Sequence, residues 1–140
     1  MQSFSVVSAV ICEDVRREAS GQATIVGASP IGPTLGDEGG EVPSLAFFVE
    51  LVARNLKEIS VRLIDSDLSN KIFERDFELP IESENEDDET WEAHTLLVLG
   101  FRGLKFPAPG TFLLQARPLD GDWSTIREVY CPHGGESSSS

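Results

Sequence analysis

An antiparallel β-sandwich is the fold class this sequence predicts, and three observations predict it. Short apolar runs rich in Val, Ile, Leu and Phe recur along the chain, parted by Gly, Pro, Asp and Asn. Two of the runs alternate with a period of two, as a strand with one buried face does. No stretch carries the periodicity of a long helix. The runs amount to about eight strands, and a small β-barrel is the alternative because closure and two-sheet packing share these cues. At 140 residues the chain suits one domain, large enough to bury about two-thirds of its unfolded surface. Residues 1–131 are assigned to that domain, with an acidic loop at 82–92, and 132–140 to a flexible tail.

The elements follow in order. Phe4–Cys12 is mostly apolar, lacks a preceding positive segment and runs into Glu13 and Asp14, so it reads as a first strand rather than a targeting signal. Glu13–Ser20 is charged and reads as a helical turn ending at Gly21. Gln22–Ala28 is a short second strand. Ser29–Pro43 holds four glycines, three prolines and three acids, the composition of a long loop. Leu45–Arg54 is apolar at both parities near its start, which marks a central strand covered on both faces.

In Glu58–Asp65, Ile59, Val61 and Leu63 oppose Ser60 and Arg62. In Lys71–Ile81, Phe73, Phe77, Leu79 and Ile81 share a face with Arg75, against Glu74, Asp76 and Glu78. The Asp65–Asn70 segment between them has turn chemistry, so the pair is a hairpin. Glu82–Glu92 carries seven acids and no base and reads as a mobile, solvated loop. His94–Phe106 is strand again, Pro107–Gly110 a corner and Thr111–Pro118 another strand. Asp120–Gly121 is a hairpin turn of residues that tolerate positive φ, and Ile126–Cys131 is the last strand.

Three segments together resemble a known group: Ile11-Cys12-Glu13-Asp14-Val15-Arg16 with Thr24-Ile25-Val26-Gly27, Val61-Arg62-Leu63-Ile64-Asp65 with Phe77, and Pro109-Gly110-Thr111-Phe112 through Leu119-Asp120-Gly121. The chain is similar to small bacterial single-domain proteins of unassigned function, and the likeness spans Phe4 to Tyr130. The resemblance implies an immunoglobulin-like or C2-like sandwich and transfers no catalytic residue.

Charge narrows the function classes. The chain has 24 acids against 11 Lys and Arg, a net charge of -13. Such a balance argues against nucleic acid as a partner, since phosphate contacts need clustered Lys and Arg, and against anionic membrane surfaces. The excess sits in Gly36–Glu41, Glu82–Glu92 and the tail, which leaves the sandwich itself close to neutral. No run reaches the roughly 20 apolar residues of a membrane helix. Cys12 and Cys131 read as buried, reduced thiols of a cytoplasmic protein, with a disulfide between first and last strands as the alternative.

The sharpest chemical motif is Asp65-x-Asp67-x-Ser69-Asn70 with Asp76 beyond. Laid on a calcium loop, it offers oxygen ligands from Asp65, Asp67, Ser69 and Asp76. Asn70 stands where that loop needs glycine, and the flanks alternate as strands, so a plain turn explains the same residues. His94 reads as an exposed strand-end residue and His133 lies in the tail; no nucleophile motif or phosphate-loop spacing occurs. Trp91, beside the acidic loop, and Trp123, after the Asp120–Gly121 turn, are candidate interaction anchors, or else lids over a core edge. The sequence therefore points to a non-catalytic interaction or assembly module without cofactor, its acidic loop steering it to a basic protein partner. A Ca²⁺-responsive sandwich and an enzyme of unspecified reaction are the alternatives.

Overall fold

A computed structural model describes residues 2–79 and 92–134. Eleven strands are present among them: β1 (Ser3–Cys12), β2 (Asp14–Arg17), β3 (Ala23–Val26), β4 (Gly40–Val42), β5 (Leu45–Arg54), β6 (Glu58–Asp65), β7 (Lys71–Glu78), β8 (Glu92–Phe101), β9 (Leu104–Phe106), β10 (Gly110–Pro118) and β11 (Ser124–Cys131). They build a three-stranded sheet, β1-β5-β8, and a four-stranded sheet, β11-β10-β6-β7, each antiparallel throughout. Neither closes on the other, so the chain is a sandwich and not the small barrel held as alternative. Counting only these seven long strands, the first, second and fifth share one sheet and the third, fourth, sixth and seventh the other.

Alternation along the strands builds the core. Phe47, Val49, Leu51 and Ala53 of β5 face Ile59, Val61 and Leu63 of β6 and Phe112, Leu114 and Ala116 of β10, all buried. Phe73 bridges the layers, its ring centroid 5.9 Å from Phe47 and 4.4 Å from Phe101. Burying such side chains contributes about 1.5–3 kcal/mol each before the entropy of ordering is set against it.

Several expectations are corrected by pairing that local pattern cannot reveal. Residues 13–20 make no helical turn: β2 forms a hairpin with β3, register Asp14↔Val26 to Arg17↔Ala23, and it packs against β5 and β8. The outward residues Phe48, Glu50 and Val52 of β5 are half-buried, so that face of the strand is only partly covered. The segment 29–43 is not loop throughout, since β4 pairs with β9. The predicted strand over 94–106 is broken between β8 and β9, where Gly103 turns the chain at φ 72°. The turn after β10 closes with the Gly121 amide donating to the Pro118 carbonyl at 2.8 Å, and neither Asp120 nor Gly121 adopts positive φ. The loop then runs on to Trp123, longer than a two-residue hairpin.

The start of the predicted tail is part of the fold. The Leu35 amide donates to the Pro132 carbonyl at 2.9 Å, the Gly134 amide to the Leu35 carbonyl at 3.1 Å, and His133 meets Asp37 at 2.5 Å. With the Gly32 amide on the Tyr130 carbonyl at 2.7 Å, this lays residues 32–35 along the end of β11 and covers a sheet edge. Arg127 ties the same corner, donating from Nη1 to the Ala9 carbonyl (2.7 Å) and from Nη2 to the Pro30 carbonyl (2.9 Å). One side chain thus clamps β1, β11 and the covering loop.

Candidate functional site

Three groups of residues were singled out by sequence, and the structure separates them. Asp65 ends β6, and its carboxylate accepts from the amides of Ser69 (2.8 Å) and Asn70 (3.2 Å) and from both their side chains. Leu68, at φ 61°, completes the turn by donating to the Asp65 carbonyl at 2.9 Å. Asp76 lies on β7 opposite Ser60, which donates to it at 2.6 Å, so it stands five residues of β6 away from Asp65. The cation set Asp65, Asp67, Ser69 and Asp76 therefore does not converge, and Asp65 acts as the cap of a hairpin turn. Among the described residues no cluster of three or more His, Cys, Asp or Glu side chains could hold a metal ion.

That cap has a pH signature. Desolvation works to raise the Asp65 carboxyl, but the Ser69 and Asn70 donors outweigh it and hold it at about 2, against an ordinary 3.8. The folded value is the depressed one, so its contribution is present above pH 3.8 and is lost as pH falls toward 2. Thermal melts of wild type and Asp65→Asn should differ at neutral pH in favour of wild type, with the gap closing between those two values. A gap that stays constant to the lowest pH would remove Asp65 from that role.

The thiols and histidines offer little chemistry. Cys12 and Cys131 are both free and buried rather than bridged. Burial pushes the Cys12 thiol up and that of Cys131 up to about 12, which leaves them poor nucleophiles. A hollow of about 210 Å³ opens beside Cys12, and among the described residues Glu13 is the one charged group lining it. His94 is exposed on β8 opposite Val52, along an open groove shared with Arg17, Phe77 and Glu78. Trp91 and the acidic segment lie outside the described residues, save Glu92 at the start of β8, which pairs with Arg54 at 3.0 Å.

Trp123 is different, because it gathers other side chains. Alternation turns Ser60 and Arg62 of β6 and Gln115 and Arg117 of β10 away from the core, onto the outer face of the four-stranded sheet. Arg62 pairs with Gln115 and Arg117 with Ser60, so the two arginines are diagonal neighbours on that face. Trp123, just before β11, lies over both: the Arg62 guanidinium carbon is 4.2 Å from the indole centroid and that of Arg117 4.3 Å. It is neither a lid on the core nor a freely exposed ring. It is half-buried on the outside of the sheet, stacked on cations.

The layer beneath is polar and paired. Arg62 Nε donates to Gln115 Oε1 at 2.8 Å, and Gln115 Nε2 to Thr125 Oγ1 at 3.1 Å, which fixes the Arg62 plane. Gln115 and Ser60 are both buried, so each hydrogen bond here satisfies a group that water cannot reach. Burial lowers the Arg62 pKa, Glu74 opposes that shift, and the like charge of Arg117 adds to it. Yet the nearby acids face elsewhere. Glu74 pairs with Lys71 at 3.2 Å, Asp76 accepts from Ser60, and among the described residues neither Arg62 nor Arg117 has an ion-pair partner.

No protein-family model and no curated protein matches this chain. The site rests on its geometry alone. Sequence reasoning picked out Trp123 but missed Arg62, Gln115 and Arg117. Their outward parity is legible, since Arg62 alternates with Val61 and Leu63, and Arg117 follows the buried Phe112, Leu114 and Ala116. What the sequence hides is the β6–β10 register that makes them neighbours.

Proposed function

We propose that this domain is a non-catalytic protein-interaction module of the cytoplasm, engaging its partner with the outer face of the β11-β10-β6-β7 sheet. The observation that carries the reading is the Trp123 stack. Tryptophan and arginine are the residue types that dominate interface energetics, and here Arg62, Arg117 and the indole are already held in place. A preordered anchor spares part of the side-chain entropy that binding otherwise costs. The net charge of -13 adds long-range steering toward a partner of basic overall surface, an effect that salt weakens.

Affinity capture with the whole chain as bait, followed by calorimetry on the recovered protein, tests the reading. Trp123→Ala should weaken that complex by about 2–4 kcal/mol, the loss typical of a central anchor. Val7→Ala, on the exposed edge strand β1 of the other sheet, should leave it unchanged. Deletion of residues 84–89 should slow association and flatten its salt dependence. Equal affinity of wild type and Trp123→Ala would overturn the assignment.

A further inference from the structure

Two guanidiniums on one indole, in a chain with 24 acids, pose an electrostatic problem that no ion pair among the described residues relieves. Like charges brought together repel, and partial burial makes the repulsion stronger than in water. Stacking on Trp123 offsets part of it. A carboxylate would offset more, and β7 presents Glu74 directly opposite Arg62 in the register. That carboxylate makes its ion pair with Lys71 and acts on Arg62 only at a distance. Internal hydrogen bonding does not explain the position of Arg117 either: its Nε is buried without an acceptor, and among the described residues none of its nitrogens has one. On Arg62, among the described residues, only Nε is used. Among the described residues the terminal nitrogens of both side chains have no hydrogen-bond acceptor.

We propose that the Arg62–Trp123–Arg117 stack is an oxyanion-recognition site, taking one carboxylate or phosphate group on the terminal nitrogens of the two guanidiniums. Planar, forked donors of this kind match the oxygens of either group, and bonds to charged partners are the stronger class. The site deepens the interaction reading, on which it rests for its biological use: the bound group is the acidic feature that a partner presents to this face. Long-range attraction of a basic surface and short-range capture of one oxyanion then select for a partner carrying both.

The chain has two tryptophans, so Trp91→Phe leaves Trp123 as sole fluorescent reporter. That variant is titrated with sodium phosphate and, separately, sodium acetate, each at fixed ionic strength balanced with chloride. A saturable change in Trp123 emission is expected, with half-saturation on the order of 1–10 mM, the strength of two charge-assisted contacts. Response to phosphate alone identifies a phosphoryl ligand, response to acetate alone a carboxylate, and response to both a site that accepts either group. Arg62→Met and Arg117→Met, which keep most of the aliphatic stem, should each abolish saturation while circular dichroism and the melting midpoint show an intact fold. A linear response to both anions up to about 50 mM, or saturation that survives Arg117→Met, overturns the proposal. The two readings fail separately. Anion binding with a partner indifferent to Trp123→Ala sinks the interaction face only; a partner lost with Trp123→Ala but no anion binding sinks the oxyanion site only.

Discussion

Phe47→Ala is expected to lower the free energy of unfolding by about 3–5 kcal/mol, the cost of emptying an aromatic site in a packed core. Phe47 is fully buried, sits on the central strand of the three-stranded sheet and packs its ring 5.9 Å from that of Phe73. Neighbours on that core, Val49 and Leu51 beside it and Leu63 and Phe112 across from it, belong to rigid strands paired on both sides or nearly so. They cannot collapse into the space, so the cavity term adds to the lost transfer energy. Against a typical total stability of about 5–15 kcal/mol, that loss brings the domain near unfolding at room temperature. Urea titration followed by circular dichroism measures it as a lowered midpoint at unchanged slope. Val7→Ala, at a site 60% exposed, should shift the same curve by no more than about 0.5 kcal/mol. A Phe47→Ala loss under about 1.5 kcal/mol would mean that the two sheets do not pack as described.

The second large effect comes from a backbone rather than a side chain. Gly39 has φ 78°, and a Cβ placed there would lie 1.9 Å from the Phe106 carbonyl oxygen and 2.6 Å from the Pro107 carbonyl carbon. Both neighbours are main chain, so neither can rotate aside. Gly39→Ala must therefore strain its own dihedral and push β9 off β4, whose pairing begins at Gly40↔Phe106. The combined cost is on the order of 3 kcal/mol, read as a fall in melting midpoint of roughly 10 °C. Gly100→Ala is the control: its φ is ordinary and its Cβ would meet nothing within 4 Å. That variant should melt at or slightly above wild type, because alanine restricts the unfolded chain. Equal midpoints for the two variants would show that β4 and β9 are not held together at Gly39.

Both effects bear on how far this chain can be read without coordinates. Its strands β5 and β6 begin and end where the sequence places them, at Leu45–Arg54 and Glu58–Asp65. Their signal is local: a continuous apolar run in β5 and a period-two pattern in β6, each bounded by residues that break strands. The Asp65 turn is local too, because an aspartate capping amides four and five residues on needs nothing distant. By contrast, Asp14–Arg17 carries no apolar alternation, and it becomes a strand only because Ala23–Val26 offers its backbone a partner. The same holds for Gly40–Val42, paired with Leu104–Phe106 across some sixty residues of chain, and for Pro132–Gly134, tied to Leu35. Backbone hydrogen bonds are indifferent to side-chain identity, so short polar strands leave little trace in a pattern of side chains.

The candidate site divides along the same line. By itself the sequence determined that the chain is built of antiparallel strands, that Arg62 turns away from the core, and that a tryptophan follows the turn after β10. It determined these because hydrophobic burial with a period of two is a one-dimensional constraint. Only the tertiary structure decided that Arg62, Gln115, Arg117 and Trp123 share one face, and that Asp65 and Asp76 do not share a site. The pairing of β6 with β10 joins residues about fifty positions apart, and its register follows from how the whole core packs. Chemistry that needs side chains from distant strands exists only once that packing is complete.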